Sequence, residues 1–501
     1  MHIFNLWRGC GEAEKIMHVL DMISFWADME PERPAILLPD WMLTYRVLAD
    51  AIETISSRIT EHNLDKREPV ALAIGNEGKL LATCFAALRL GYSIVPAAPG
   101  LYPQLAASGV TRVITDGKFA GALNPILFDD SWLLPNQRPV PAPSITSGNY
   151  GDTIFFTSGT TGTPKKSVET CEADIDRAQV ASFLRISEHS RQLVLPGLTT
   201  RFGFNLSCDV LRLAKTLCFC PLSEKTLWMI STFGIESIHA SSHQALALCQ
   251  LAESFPKYSF SSVRTIRIGG STPSKNLMSR IRTRICKEAI VIYSSTEGAQ
   301  AATAPYAMIE HVEDAVGIVV PWAELQIVDD DDNVLPPGRQ GKMRYRNEYF
   351  LRNQPSAEEG QTDNRWFYPG DLGMVTAHGI LCIKGRSDDV INRGGVKVSA
   401  SRVEERLLCC PGVKDAGVCS VEGLSEMTQL WIAVVPDRDF KPAEFQQFVK
   451  TDEALYQSLR TDIDQVFVVE EIPRGDLGKI KRLDLRDKLI GMLKAAVAGA
   501  R

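Results

Sequence analysis

The stretch Asp152–Ser167, DTIFFTSGTTGTPKKS, constrains this chain more than any other. Ile154, Phe155 and Phe156 make a short apolar run of the kind that forms a buried strand. It breaks into Thr157-Ser158-Gly159-Thr160-Thr161-Gly162-Thr163-Pro164-Lys165-Lys166, a run of hydroxyls, small residues and two lysines. Glycines let backbone N–H groups turn toward a ligand at close range. Hydroxyls add donors and lysine adds a point charge, so the combination suits a polyphosphate. A polar surface loop after a strand has the same ingredients. The Walker A pattern does not apply: counted from Gly159, Pro164 stands where its second glycine would be.

With 501 residues the chain exceeds one compact domain and has material for about two to four units. A hydrophobic share of 45% and a charged share of 23% fit a soluble globular enzyme. A net charge of −6 supplies no basic field for nucleic acid or anionic lipid. No apolar run approaches the ~18 residues of a membrane span. The start, MHIFNLWRGCGEAEK, lacks the basic-then-apolar order of a secretory signal, so a cytoplasmic location is expected. Twelve cysteines include no C-x-x-C pair, and the nearest clusters, Cys218/Cys220 and Cys409/Cys410, lie in apolar segments. Buried, reduced thiols are the expectation and a zinc site is not.

Strand and helix patterns alternate early in the chain. Leu43-Thr44-Tyr45 opens a helix with Leu48, Ile52, Ile55 and Ile59 on one face. Val70–Ile74 reads as a buried strand, then Leu81, Cys84, Phe85 and Leu88 mark a helix that Gly91 ends, and Ser93–Pro96 is another strand. Such alternation predicts a parallel α/β sheet. Ala173–Leu184 is expected to be helix, Gln192–Pro196 strand, and Gly197–Asn205 loop. His239 and His243 stand one helical turn apart, read as a pocket wall or core histidines, because HASSH lacks the glutamate of H-E-x-x-H. Arg264–Ile268 is a strand leading into Gly269-Gly270-Ser271-Thr272-Pro273, where a flat ligand can lie on glycine backbone or Ser271 or Thr272 can cap a helix. Ala289–Tyr293 is the next strand, running into Ser294-Ser295-Thr296-Glu297-Gly298. The acidic turn Asp329–Asp332 does not fit an EF-hand and reads as a solvated hairpin. Later, Ser401-Arg402-Val403-Glu404 has the form of a capping box.

TSGTTGTPKK resembles the phosphate loop of the adenylate-forming enzymes, which include acyl-CoA synthetases, firefly luciferase and the adenylation domains of peptide synthetases. Four later segments resemble the same family: Tyr293-Ser294-Ser295-Thr296-Glu297, Trp366 to Asp371, Gly385-Arg386-Ser387-Asp388, and Pro473-Arg474 through Gly478-Lys479-Ile480. The resemblance implies an α/β fold with a large N-terminal domain of mostly parallel sheets and helices, residues 1–386. A hinge at 387–389 and a small, rotating α+β C-terminal domain, 390–501, complete it. It also implies roles. Thr157, Ser158, Gly159, Thr160, Thr161, Gly162, Thr163 and Lys165 would hold the β- and γ-phosphates of ATP. Gly270, Ser271 and Thr272 would pack on adenine, Tyr293 would stack, and Thr296 would reach the α-phosphate. Glu297, with Thr160, would carry Mg²⁺, a hard cation suited to oxygen. Asp371 and Arg386 would bind ribose or phosphate, Asp388 would be the pivot, and Gly395 and Lys397 would line the pantetheine channel. Lys479 would be the catalytic lysine.

Three positions depart from the family pattern. Thr200 replaces the histidine of a His-x-x-Gly signature beside the acyl tunnel, Ser294 replaces a glycine and narrows the acyl entrance, and Asp476 replaces Thr or Asn. Asn205 stands where peptide-synthetase domains carry an aspartate for the α-amino group, which weighs against an α-amino acid. Thr200, Arg201, Asn205, His239 and Ser294 are expected to border the acid, as something small or polar. Arg201 would pair with a second carboxylate or face outward. The implied activity is ATP-dependent formation of acyl-AMP with release of pyrophosphate, then transfer to the thiol of coenzyme A. The alternatives are a stand-alone ligase loading the phosphopantetheine of a carrier protein, and a non-catalytic ATP-binding relative.

Overall fold

The computed structural model describes residues 18–97, 105–106, 109–117, 123–134, 150–157, 165–174, 188–295, 299–347, 366–386, 390–393, 396–422, 428–453, 455, 459, 463–475 and 478–499. The chain divides into two compact units, one built mainly from 1–157 and 166–239, the other from 240–351 and 356–501.

In the first unit the expected periodicities become elements. Helix α1 (Val19–Met29) precedes strands β1 (Pro34–Leu38) and β2 (Trp41–Thr44). Thr44 caps α2 (Tyr45–Glu61) by accepting from the Val47 N–H, and Leu48, Ile52, Ile55 and Ile59 are buried on its inner face. Then come β3 (Val70–Ala73), α3 (Glu77–Arg89), β4 (Ile94–Pro96), β5 (Arg112–Thr115), β6 (Asn124–Leu127), β7 (Thr153–Thr157) and β8 (Lys165–Glu169). These strands form a sheet in the order β6-β5-β3-β4-β7-β8, with parallel pairing from β6 through β7. The remaining elements are β9 (Arg191–Val194), α4 (Arg201–Arg212), β10 (Thr216–Cys218), α5 (Glu224–Phe233) and β11 (Ser237–Ser241). Strand β9 lies between β10 and β11, parallel to both, and β10 continues in parallel to β1. Both sheets are therefore of the type expected from alternating strands and helices. One apolar core, including Ile36, Leu72, Phe85, Phe155, Phe204 and Leu217, packs α1 to α4 against them.

The second unit opens with α6 (Ser242–Ser254), β12 (Thr265–Gly269), α7 (Lys275–Arg284) and β13 (Glu288–Ser295), the last two strands pairing in parallel. From β13 through Arg386 the pairing is antiparallel. The strands are β14 (Ala299–Pro305), β15 (Ala315–Val319), β16 (Ala323–Val328), β17 (Gly341–Asn347), β18 (Asp371–Val375) and β19 (Ile380–Arg386). The Asp329 carboxylate accepts from the N–H groups of Asp331 and Asn333, so the acidic run is the expected turn of the β16–β17 hairpin. Beyond residue 390 the elements are the hairpin of β20 (Val390–Arg393) and β21 (Val396–Ser399), α8 (Ala400–Leu407), β22 (Val413–Glu422), β23 (Thr428–Pro436), α9 (Pro442–Thr451), β24 (Gln465–Val468) and α10 (Arg482–Gly499). A three-stranded sheet, β22-β23-β24, has its own apolar clusters on two faces. This is the α+β composition expected for 390–501; the pivot residues 387–389 lie outside the described residues.

The expected capping box at Ser401 is not formed. Helix α8 begins at Ala400 after Ser399, and Glu404 instead accepts from the Val418 N–H and from Arg482. Its tertiary partners outcompete the local cap. The described cysteines are free thiols, buried except for Cys409. No described helix is long and apolar enough to cross a membrane.

Candidate functional site

In the second unit, three of the expected nucleotide-binding segments stand at strand ends. Strand β12 stops at Gly269, and Gly270 follows with φ of +83°, a turn that favours glycine. Ser271 is exposed and Thr272 half-buried. Neither caps the next helix: Ser274 does, accepting from the Leu277 N–H, two to three residues later than the local sequence suggested, and Ser271 instead offers its carbonyl to Ser242 Oγ at 3.1 Å.

Strand β13 delivers Tyr293 and Ser294 at its end, where a register shift against β14 re-aims successive side chains. The Tyr293 hydroxyl donates to Oδ2 of Asp371, the first residue of β18. Asp371 lies directly opposite Arg386 across the β18–β19 pair. Tyr293 thus reaches Asp371 through its side chain although β14, β15 and β19 separate β13 from β18 in the sheet, and strand register sets Arg386 opposite the same aspartate. Ser295 Oγ and the hydroxyl of the buried Tyr345 share a hydrogen bond of 2.6 Å just behind them. Thr157 and Lys165 occupy the end of β7 and the start of β8, and Lys397 lies in β21. Ser158, Gly159, Thr160, Thr161, Gly162, Thr163, Thr296, Glu297, Asp388 and Gly395 lie outside the described residues. Among the described residues no group of three His, Cys, Asp or Glu forms a metal cluster.

Lys479 sits on a tight turn. The Gly475 N–H donates to the Lys479 carbonyl and the Gly478 N–H to the Gly475 carbonyl, both at 2.8 Å. Arg474 braces it, donating to both oxygens of Asp415 (3.1 and 2.6 Å) and to the Gly478 carbonyl (2.5 Å). Gly478 has φ of +78°, and a Cβ there would come within 2.5 Å of the His243 Cβ. The turn therefore seats on His243 and leaves the Lys479 side chain exposed. Burial, reinforced by the Arg474 guanidinium, holds His243 below the usual histidine range, with Asp415 opposing.

In the first unit, Thr200, Arg201 and Asn205, three of the residues expected on the acid side, stand at the start of α4. The segment read as loop through Asn205 becomes helix from Arg201, because Thr200 caps it: the Gly203 N–H donates to Thr200 Oγ1 at 3.1 Å. Glycine is required at 203, since a Cβ would lie 2.2 Å from the Pro196 carbonyl oxygen. Arg201 neither faces outward nor stands open for a second carboxylate. Its Nε donates to Glu169 Oε2 at 3.0 Å and its Nη1 to Ser167 Oγ at 3.0 Å, with all three residues buried. Asn205 Nδ2 donates to the same Glu169 oxygen at 2.7 Å. Glu169 was not singled out by its sequence context; an arginine and an asparagine four apart at a helix start were the available signal that an anion is needed nearby.

At its far end α4 is held by Arg212, which pairs with Asp174 (2.5 Å) and Asp209 (2.9 Å), and by the Tyr45 hydroxyl donating to the Leu211 carbonyl at 2.9 Å. His239 is fully buried and shares a 2.9 Å hydrogen bond between its Nε2 and Gln192 Oε1. HASSH is not one helical turn: β11 ends at Ser241, which caps α6, so His239 lies on a strand and His243 on a helix.

The AMP-binding enzyme family matches residues 23–352. A salicylyl-CoA synthase/salicylate adenylyltransferase from a Streptomyces species is 24% identical over 93% of this chain and 92% of its own length. 4-Coumarate:CoA ligase 1 of Petunia hybrida is 24% identical over 89% of each chain. Among solved structures, o-succinylbenzoate CoA synthetase from Bacillus subtilis with its acyl-adenylate intermediate superposes with a TM-score of 0.77 at 22% identity, covering 93% of this chain and 97% of that one.

Proposed function

Because the chain belongs to the AMP-binding enzyme family, we propose that it activates an aromatic carboxylic acid with ATP and transfers the acyl group to the thiol of coenzyme A. The observation that carries this reading is the hydrogen bond from Tyr293 to Asp371, which stands opposite Arg386 across β18 and β19, in a chain that also presents Lys479 on a braced turn. The relatives named for salicylate, coumarate and succinylbenzoate support an acid with a ring.

In the first step a carboxylate oxygen bonds to the α-phosphorus and the bond from that phosphorus to the bridging oxygen of pyrophosphate breaks. Carboxylates are weak nucleophiles, so the step depends on positioning and on neutralising the charge that builds at phosphorus. Lys479 supplies that positive charge between the acid and the α-phosphate. Asp371 accepts from the ribose hydroxyls, and Tyr293 holds the carboxylate in place while presenting its ring to adenine. Residues 157–165 retain the leaving pyrophosphate, and Glu297 with Thr160 would hold Mg²⁺, which would offset phosphate charge. In the second step the thiol sulfur bonds to the acyl carbon, the thiol proton is lost, and AMP departs with the oxygen of the broken acyl–phosphate bond. Rotation of 390–501 about 387–389 exchanges Lys479 for the face of Gly395 and Lys397 between the steps.

ATP–pyrophosphate exchange with a panel of aromatic acids tests the first step, and no exchange with any acid would leave only an ATP-binding relative. Added CoA then tests the acceptor. Thioester formation with a phosphopantetheinylated carrier protein in place of CoA would identify the enzyme as an acyl-AMP ligase that loads a carrier.

A further inference from the structure

Asp314 immediately precedes β15 and is tied twice to β19. Its carbonyl accepts from the Ile383 N–H at 3.0 Å, and its Oδ2 accepts from Lys384 Nζ at 2.8 Å. The same Oδ2 accepts from Arg402 Nη2, on α8 beyond residues 387–389. One carboxylate oxygen thus joins a lysine before that segment to an arginine after it. The side chains of Lys384 and Asp314 are 16% and 20% exposed and that of Arg402 is 41% exposed, so the anchor on β19 is the shielded half and the arginine is the half able to leave. Asp314 also has φ of +60°, a backbone conformation that is costly for a residue with a side chain and persists where its surroundings determine it. The Arg402 charge also reaches Glu405, but that carboxylate lies on α8 itself and cannot tie the helix to β19. Within the same unit, 390–501 also touches 240–386 where Gly478 seats on His243, next to Lys479.

We propose that Asp314 is a positioning residue for Lys479: by gripping Arg402 it holds 390–501 in the orientation that seats the Lys479 turn on His243, and this ion pair opens before the thioester step. The inference rests on the acid-activating reading and on the rotation of 390–501 given above. A contact between two parts that rotate past one another acts on the balance between their orientations, and through it on whichever step each orientation serves. Opening the pair returns a half-exposed guanidinium to water and leaves Asp314 neutralised by Lys384. Neither charge is stranded in an apolar surrounding, so the grip releases at modest cost. Loss of the Arg402 charge removes the grip alone. Loss of the Asp314 charge leaves Lys384 and Arg402 as like charges facing one position, which also disfavours this orientation.

The test measures acyl-AMP formation by ATP–pyrophosphate exchange with a panel of aromatic acids, and thioester formation from supplied acyl-AMP and CoA. It compares wild type, Asp314→Asn, Arg402→Gln, Arg402→Lys and the double variant Asp314→Asn/Arg402→Gln. Asparagine keeps the shape of aspartate and tolerates a positive φ. Each neutral single variant should lower the ratio of the first half-reaction to the second by about 5- to 30-fold, a scale between an exposed ion pair and a shielded charged hydrogen bond. The double variant should change the ratio no further than the larger single effect, and Arg402→Lys should stay within about threefold of wild type. An unchanged ratio in a folded Arg402→Gln enzyme, or equal loss of both half-reactions, overturns the proposal; Arg402→Gln carries the test if Asp314→Asn does not fold. Tryptic cleavage between residues 384 and 393, followed without substrates, reads the grip independently of any acid, and it should be several-fold faster in the neutral variants. Absence of exchange in wild type with every acid would refute the acid-activating function itself, and cleavage rates equal to wild type would refute the grip.

Discussion

Glu77 offers a pH-dependent test of the scaffold beside α4. It is the first residue of α3, half-buried, and its carboxylate accepts from the backbone N–H of Leu198 in the loop that leads to Thr200. Its Oε2 is buried with no hydrogen-bond partner among the described residues. Burial pushes the carboxyl up to about 7 from its ordinary 4.5, with the Leu198 N–H pulling the other way. The folded state therefore holds this proton more tightly than the unfolded chain. Its contribution to stability is complete below about 4.5 and is lost as pH rises through about 7. The distance from 4.5 to about 7, at about 1.36 kcal/mol per pH unit, corresponds to roughly 3 kcal/mol; partial exposure brings the expectation to about 2–3 kcal/mol. Glu77→Gln abolishes the titration while its amide oxygen still accepts from Leu198. Urea unfolding of both proteins between about pH 5 and about pH 8, read as midpoint and slope, should give similar stabilities at the acid end. At the alkaline end the variant should be the more stable by about 2–3 kcal/mol. A gap that does not change with pH, or a wild type favoured at alkaline pH, would refute the reasoning.

Lys479→Ala should slow acyl-AMP formation by a factor of about 100 to 1,000 yet leave thioester formation from supplied acyl-AMP largely intact; equal loss of both half-reactions would argue against a lysine that serves only the first. Asp371→Asn should raise the KM for ATP about tenfold, and Tyr293→Phe should raise it less because the carboxylate remains; indifference of the ATP KM to both would sink the assignment of this pair to ribose. Gly203→Ala drives a methyl group into the Pro196 carbonyl, so a loss of about 1–3 kcal/mol in denaturant stability is expected, and a variant as stable as wild type would contradict the packing described.

Which parts of this architecture were legible follows from the range of the forces involved. Leu48, Ile52, Ile55 and Ile59 revealed α2 because burial of one helix face is a local pattern with a fixed period. The glycine turn at 269–270 was visible for a similar reason, since backbone conformation there is a property of the residue itself. Where the decisive partner is distant in sequence, the local signal misled. Arg201-Phe202-Gly203 looked like loop because it contains a glycine, whereas that glycine is needed for contact with Pro196 inside a helix. The i,i+4 spacing of His239 and His243 suggested a helix, but Ser241 ends a strand and begins the helix between them. Glu404 matched a capping box and was claimed by Val418 and Arg482.

The same distinction separates the two kinds of residue in the proposed site. Lys479 is exposed on a turn shaped largely by neighbours within a few residues, with the Arg474–Asp415 ion pair and the seat on His243 behind it, so its motif is readable in sequence. The chemistry proposed for it needs a movable charge, and an exposed lysine on a braced turn carries one without a desolvation cost. Arg201 and Asn205 are the opposite case. Their charges and amides are fixed by Glu169, more than thirty residues upstream, in a buried network that cannot rearrange without breaking an ion pair. Their identity therefore depends on the folded arrangement of β8 and α4, which no single motif contains.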